Sequence, residues 1–424
     1  MLIFGLTKRL PISGSCISNT FRSSHIARYM TQVISEKTFF NRKRELAEFE
    51  KAFSGDPEIH VILGPPSSGK TALVREVTTR GNFKPLFLDG RLGQFDSPMD
   101  SYDSISIQFK TFFENQRKLL KEINATIPYF FELNLKLFDK KEREITFNSV
   151  IDLLNKITYA LPNQNLWKSY NIPPPILIID EANSLNRLGY GSAKGEILLK
   201  TFLDWLVLNT KQTSRFHVVL TSSDSLFFNW IVNRLDILHA TSYVVGDLSK
   251  EEAEEYFEKH VLPQHGCKEL EGKFDHVCKI TGTRMLIIDK YVKEYKNSKR
   301  ELTASKFSVY ELEYLKLKRG LYPKRLKYSD NFDLPLWTDS DLIKTMKALL
   351  KAENQGYILE DDLIDVIGSD QINSLQNSKY AKYSAILLPK ICQIHGLPEL
   401  PNEKHDQTSG IKSCQTKSMT RILD

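Results

Sequence analysis

Gly64, Pro65, Pro66, Ser67, Ser68, Gly69, Lys70 and Thr71 follow one another with the spacing G-x-x-x-x-G-K-T. Glycines at those two places let the backbone curl so that its N–H groups point inward at phosphate oxygens. The lysine and hydroxyl that close the run suit a terminal phosphate and a divalent cation. Further along, the apolar run Ile176-Leu177-Ile178-Ile179 ends in Asp180 and Glu181. A buried strand that ends in two acids puts carboxylates at the edge of a sheet, where ligands of open α/β sheets sit.

The flanks of both segments read as the elements needed to hold them. His60 to Leu63 is a short buried strand before the loop, and Ala72 to Val77 begins a helix after it. The helix N-terminus, with Ala72, adds unpaired N–H donors and the positive end of the helix dipole. On this reading ATP lies on the loop and Lys70 reaches its β- and γ-phosphates. Thr71 and Asp180 hold Mg²⁺, Asp180 through water, and Glu181 on the other side polarises the attacking water as general base. The two prolines fit as long as they avoid positions whose N–H must face phosphate. An Asp-Glu pair separates water-activating ATPases from kinases and from GTPases that position water by other means.

Phe40-Asn41-Arg42-Lys43-Arg44-Glu45-Leu46, the phosphate loop, and Asp180-Glu181-Ala182-Asn183 together resemble the archaeal-type ATPases of the AAA+/STAND assemblage, with origin-recognition ATPases more distant. The resemblance runs over approximately residues 38 to 297. It implies an α/β fold: a three-layer P-loop domain with a parallel sheet, a helical lid, and a small C-terminal helical domain, of winged-helix type in the origin-recognition relatives. It also implies residues that sense the γ-phosphate. Thr221 or Ser222 is the candidate at the end of the strand Phe216 to Thr221, and Arg284, in Thr281-Gly282-Thr283-Arg284, is the candidate in the lid. Arg234 sits where the arginine finger of a neighbouring subunit would lie, which implies self-association.

At 424 residues, 41% hydrophobic and 11% aromatic, the chain has the material for two or three domains with full cores. No apolar run approaches the length of a membrane span. The first 35 residues carry Lys8, Arg9, Arg22 and Arg28, many Ser and Thr, and no acid before Glu36. That pattern fits a mitochondrial presequence, with the matrix or inner-membrane surface as destination. It holds +4 of the formal +6, so the remaining body is near neutral and not a broadly basic nucleic-acid binder. Cys16, Cys267, Cys278, Cys392 and Cys414 have no metal-ligand spacing and read as free thiols.

The expected organisation is a presequence over 1–35, an ATPase domain over 36–248 and a helical lid over 249–297. A basic linker over 298–332, a helical or winged-helix-like domain over 333–400 and a disordered tail over 401–424 complete it. Within the ATPase domain, Glu45 to Phe53 and Glu196 to Leu208 read as helices, Lys84 to Asp89 as a strand, and 101 to 160 as mainly helical. Tyr243 to Val245 reads as the fifth strand. Ser249-Lys250-Glu251-Glu252 matches a capping box for a helix to about His260, followed by helices Glu269 to Ile280 and Arg284 to Tyr295. Three short helices follow, Asp339 to Ala352, Glu360 to Ile367 and one from Asp370 to Leu375.

Residues 293 to 330 hold eleven Lys or Arg against five acids, interleaved with five tyrosines, a mix suited to nucleic acid or a membrane surface, while the preferred reading is a solvated helix plus connector. Three output classes follow: an ATP-driven remodeller of a protein partner, a nucleic-acid-handling ATPase, and a slow ATP-dependent switch or scaffold.

Overall fold

The computed structural model describes residues 39–116, 145–190, 192–224, 227–235, 240–320, 335–351 and 360–377. The chain divides into a short unit, Met1–Phe40, of which only Phe39 and Phe40 are described, and the body, Asn41–Asp424. The presequence reading and the tail over 401–424 lie outside the described residues.

In the body, five parallel strands form one sheet in the order β2-β3-β4-β1-β5: β1 Ile59–Leu63, β2 Lys84–Asp89, β3 Pro175–Asp180, β4 His217–Ser222 and β5 Ala240–Val244. β3 and β4 are buried throughout, as expected of strands covered on both faces, while β5 at the edge is only partly covered. Successive side chains alternate between faces.

Ile59, Val61, Leu177, Ile179, Val218 and Leu220 share one core with α3 (Pro98–Asn115), α4 (Phe147–Ala160), α6 (Ala193–Val207) and α7 (Phe227–Leu235). Their neighbours His60 and His217 instead meet Phe53 of α1 (Lys43–Phe53), which packs on α2 (Lys70–Arg80). The result is the expected three layers.

Local signals explain the boundaries. Thr146 and Ser249 each close a capping box, at α4 and at α8 (Lys250–Tyr256). Between α4 and β3 lies α5 (Gln164–Ser169), where Trp167 is fully buried and donates from Nε1 to the Arg215 carbonyl at 3.1 Å. Trp205 likewise gives its Nε1 to Thr158 Oγ1 at 2.7 Å and belongs to the core.

The lid departs from expectation in two places. Its first helix continues beyond His260 through a wider turn to His265, where Gly266 in the left-handed region ends it. The next helix, α9 (Phe274–Thr281), starts five residues later than Glu269, because Gly272, also left-handed, interrupts the run. α10 (Met285–Asn297) follows as expected.

The basic stretch is not wholly a solvated connector. Phe307 and Tyr310 are buried at the start of α11 (Ser308–Gly320), Phe307 lies edge-on to Tyr291 of α10 at 5.3 Å, and the Ser308 N–H donates to Glu294 at 3.0 Å. Tyr310 is therefore core, not a stacking platform for a base. Tyr322 and Tyr328 lie outside the described residues.

The helices α12 (Asp339–Lys351), α13 (Glu360–Ile367) and α14 (Ser369–Asn377) pack in series around Trp337, Met346, Leu363, Ile372 and Leu375. No strand accompanies them among the described residues, so the winged-helix expectation finds no wing here.

His60 and His217 face each other across β1 and β4, with Nε2 of one 3.3 Å from Nδ1 of the other and both rings buried. Burial pushes His60 down to about 3 and His217 down to about 4. The unfolded chain therefore binds these protons at about pH 6.5 while the folded chain does not. Stability from the neutral pair is fully present above about pH 6.5 and is lost as pH falls from there to about 4 for His217 and about 3 for His60, at about 1.4 kcal/mol per pH unit for each proton taken up. Urea midpoints measured from pH 7 to pH 5 should fall more steeply for the natural chain than for a His60→Phe/His217→Phe variant. Equal slopes would contradict the assignment.

Candidate active site

The phosphate loop leaves β1 at Gly64 and enters α2 at Lys70. Its shape depends on backbone that L-residues disfavour: Gly69 has φ 94° and Ser67 φ 65°. At Gly64 the constraint is space, since a Cβ there would lie 2.2 Å from the Val245 carbonyl oxygen. The loop fits an anion on a further observation. Ser68 Oγ is buried with no hydrogen-bond partner, in a turn that opens a helix.

Lys70 is buried and bends back over the loop. Its Nζ donates to the Gly64 and Pro65 carbonyls at 2.7 and 2.9 Å and to Ser223 Oγ at 3.2 Å. Burial pushes its ammonium down to about 8, opposed by the charges of Glu181 and Asp180. The Ser223 hydroxyl in turn donates to Glu181 Oε1 at 2.9 Å, so one hydroxyl joins the loop cation to the second acid.

Asp180 is 1% exposed. Thr71 Oγ1 lies 2.9 Å from both of its oxygens, and Thr221 Oγ1 also donates to it. The pair predicted to hold a metal is thus assembled, although Thr71 and Asp180 are 109 positions apart in the sequence. All of these donors are oxygen, which suits a hard cation such as Mg²⁺. Among the described residues no three His, Cys, Asp or Glu stand where they could enclose an ion. A site of this kind suits a metal that keeps waters and shares phosphate oxygens.

Thr221 is brought into the site, against the first acid and under the second: its hydroxyl also accepts the Glu181 N–H at 3.3 Å. Ser222 turns away to Asn183 Oδ1 at 3.1 Å. Sequence reasoning missed Ser223, one residue further on. The run Thr221-Ser222-Ser223 was the signal, but only the strand's final register says which hydroxyl faces Lys70.

Arg284 stands beside the loop as the cap of α10, and its charge is felt at Lys70. It is held by Asp247 at 2.7 and 3.2 Å, an acid the sequence reading did not single out. Arg234 is remote from these groups, paired with Glu196 at 2.8 Å and lying over the Trp230 ring. Ala72 is exposed on the first turn of α2.

Two more residues went unread. Arg42, 3% exposed and at φ 56°, donates to the Ser68 carbonyl at 2.8 Å and the Gly246 carbonyl at 2.6 Å, tying the phosphate loop to the start of the lid. Arg91, in the turn after β2, donates to Asp180 Oδ2 at 2.5 Å.

This arrangement can cradle a polyphosphate, hold a hard cation against it, and present a carboxylate for proton abstraction. The chain resembles known proteins along much of its length. An uncharacterised ATP-binding protein of Methanocaldococcus jannaschii is 25% identical over 82% of this chain and 98% of its own. One of Pyrococcus abyssi is 26% identical over 53% of this chain and 65% of its own. Among solved structures, a Walker-type ATPase of Pyrococcus abyssi covers 84% of this chain and 89% of its own at 17% identity, with a TM-score of 0.45. The ORC2 protein of Aeropyrum pernix in its ADP form covers 78% and 80% at 12% identity and 0.40. The model of a family described as an ATPase domain predominantly from Archaea matches residues 39–286, from just before the arginine tie to the second residue of α10, and the chain belongs to that family.

Proposed function

We propose that this protein binds Mg²⁺-ATP on the loop Gly64–Thr71, hydrolyses it, and uses the cycle to remodel a protein partner. One observation carries the hydrolytic reading: Lys70, Ser223 and Glu181 form a continuous hydrogen-bonded chain beside the Thr71–Asp180 pair. Cation, metal ligands and base therefore surround one place at the C-terminal edge of the sheet.

In this reading the loop amides and Lys70 bind and orient the triphosphate, with Lys70 exchanging the Gly64 and Pro65 carbonyls for phosphate oxygens. Thr71 and Asp180 would hold Mg²⁺, which would supply neutralisation of phosphate charge. Glu181 takes a proton from the attacking water, while Ser223 and Thr221 fix its side chain and backbone. Thr221 and Arg284 are the candidates for sensing the γ-phosphate.

The remodelling half rests on how the loop is coupled. Arg42 joins the loop to the start of the lid, Asn41 donates to Glu252 of α8 at 2.9 Å, and Arg284 pairs with Asp247 between β5 and α8. A change in the loop on turnover is therefore passed by Arg42 to the connection between β5 and the lid, which the Asn41–Glu252 and Arg284–Asp247 contacts join to the lid helices. The nucleic-acid reading loses one of its supports, because Tyr310 is core. A mitochondrial site of action is supported by the basic, acid-free residues 1–35.

Lys70→Ala should abolish ATP binding measured by titration calorimetry. Glu181→Gln should keep ATP affinity within a few-fold and lose turnover by roughly 10²- to 10⁴-fold. An active Glu181→Gln enzyme would refute the base assignment. Loaded with ATP, the same variant should retain a protein on pull-down, and recovery of nucleic acid alone would favour the other output. Residues 1–35 fused to a fluorescent protein should be imported into mitochondria, and cytosolic fluorescence would remove that localisation.

A further inference from the structure

Arg91 is delivered to the acid pair by a turn that has little freedom to do anything else. Asp89, the last residue of β2, accepts the Arg91 backbone N–H at 3.0 Å and pairs with its side chain through Nε at 2.9 Å and Nη2 at 3.1 Å. The Asp89 N–H is itself held by Gln94 at 2.8 Å. Gly90 sits so close to the corner after β3 that a Cβ would meet Ser184 Oγ at 1.8 Å and the Glu181 carbonyl oxygen at 2.7 Å. Only glycine lets the turn press against that corner, and the register that pairs Asp89 with Asp180 sets the height at which Arg91 arrives. Its Nη2 then reaches Asp180 Oδ2 at 2.5 Å.

We infer that Arg91 is a positioning residue that holds Asp180 when no cation is bound and gives it up to the divalent cation. This rests on the reading above that Asp180 is a metal ligand. A buried carboxylate with two hydroxyl donors keeps a net charge that is costly to leave uncompensated. The guanidinium compensates it. Asp180 is almost fully enclosed whereas the Arg91 side chain is 55% exposed. The arginine can therefore withdraw toward Asp89 and solvent while the carboxylate stays in place. Cation and guanidinium compete for the same oxygen, so Arg91 sets how much free metal the site needs.

The test is Mn²⁺ affinity at saturating ADP, followed by electron paramagnetic resonance, with ADP affinity in EDTA measured alongside. Arg91→Gln should tighten Mn²⁺ roughly three- to tenfold, the size of one charge-assisted hydrogen bond removed from the competitor, and leave metal-free ADP affinity unchanged. Arg91→Lys, which keeps the charge without the fork, should fall between the two. Asp180→Asn should weaken Mn²⁺ strongly. Unchanged or weaker Mn²⁺ binding in Arg91→Gln, with Asp180→Asn still defective, would overturn the competition and leave the metal site standing. A loss of metal-free ADP affinity in Arg91→Gln would overturn it too, by making Arg91 a phosphate ligand. Mn²⁺ binding untouched by Asp180→Asn would overturn both this inference and the metal site.

Discussion

The enclosed carboxylate of Asp180 is the constraint around which the site is arranged. An ionised carboxylate removed from water without partners would cost several kcal/mol, so it is stable only where donors surround it. Here the donors come from three separate elements: Thr71 on α2, Thr221 on β4 and Arg91 after β2. One group thus fixes the mutual distances of the phosphate-loop helix, the central strand and the edge turn. The strand order makes this feasible. β4 lies between the loop strand and β3, so Thr221 stands beside Asp180 and Ser223 beside Lys70, while the next strand outward supplies Arg91.

The second constraint is how closely the chain passes the phosphate loop on its way to the lid. The Val245 N–H donates to the Leu63 carbonyl at 2.8 Å and the Val245 carbonyl presses on Gly64. Arg42 is clamped between Ser68 and Gly246, its Nε left unpaired in the interior. The guanidinium also pairs with Glu45 at 2.9 Å, so its charge is compensated while its other terminal nitrogen bridges the two carbonyls. It acts as a rigid strut between them. A loop that changes shape around a ligand must move the strut or strain it, and Asn41, next in sequence and bonded to Glu252 of α8, moves with it.

What the sequence made legible was whatever rests on local pattern. The apolar runs point to the buried strands, and β2 has the bounds its pattern predicts. Glycine and Lys-Thr spacing marks the loop, and the Ser249 capping box marks the start of the lid. The errors are of two physical kinds. Glycines with positive φ, at 266 and 272, move helix boundaries in the lid that periodicity alone could not place. Side chains whose importance depends on register or reach are invisible in the sequence or read differently there: Ser223 beside the predicted Thr221, Asp247 beneath Arg284, Arg91 on Asp180, and Tyr310 turned inward from a stretch that reads as surface. None of these carries a spacing rule, because each partner lies tens to hundreds of positions away.

Glu181 shows why the two acids, adjacent in sequence, can differ in function. Asp180 ends β3 and its side chain is locked inward. Glu181 then takes a left-handed conformation, φ 50° and ψ 53°, which a non-glycine residue adopts at a cost of about 1 kcal/mol or more. That turn carries the second carboxylate out of the strand's alternation and toward Lys70. The strain persists because Thr221 accepts the Glu181 N–H and Ser223 holds its Oε1. Thr221 thereby serves both acids at once, as donor to the first and acceptor for the second. The same hydroxyl that helps keep the first carboxylate buried thus fixes the backbone from which the second projects, and neither acid can shift without disturbing the other.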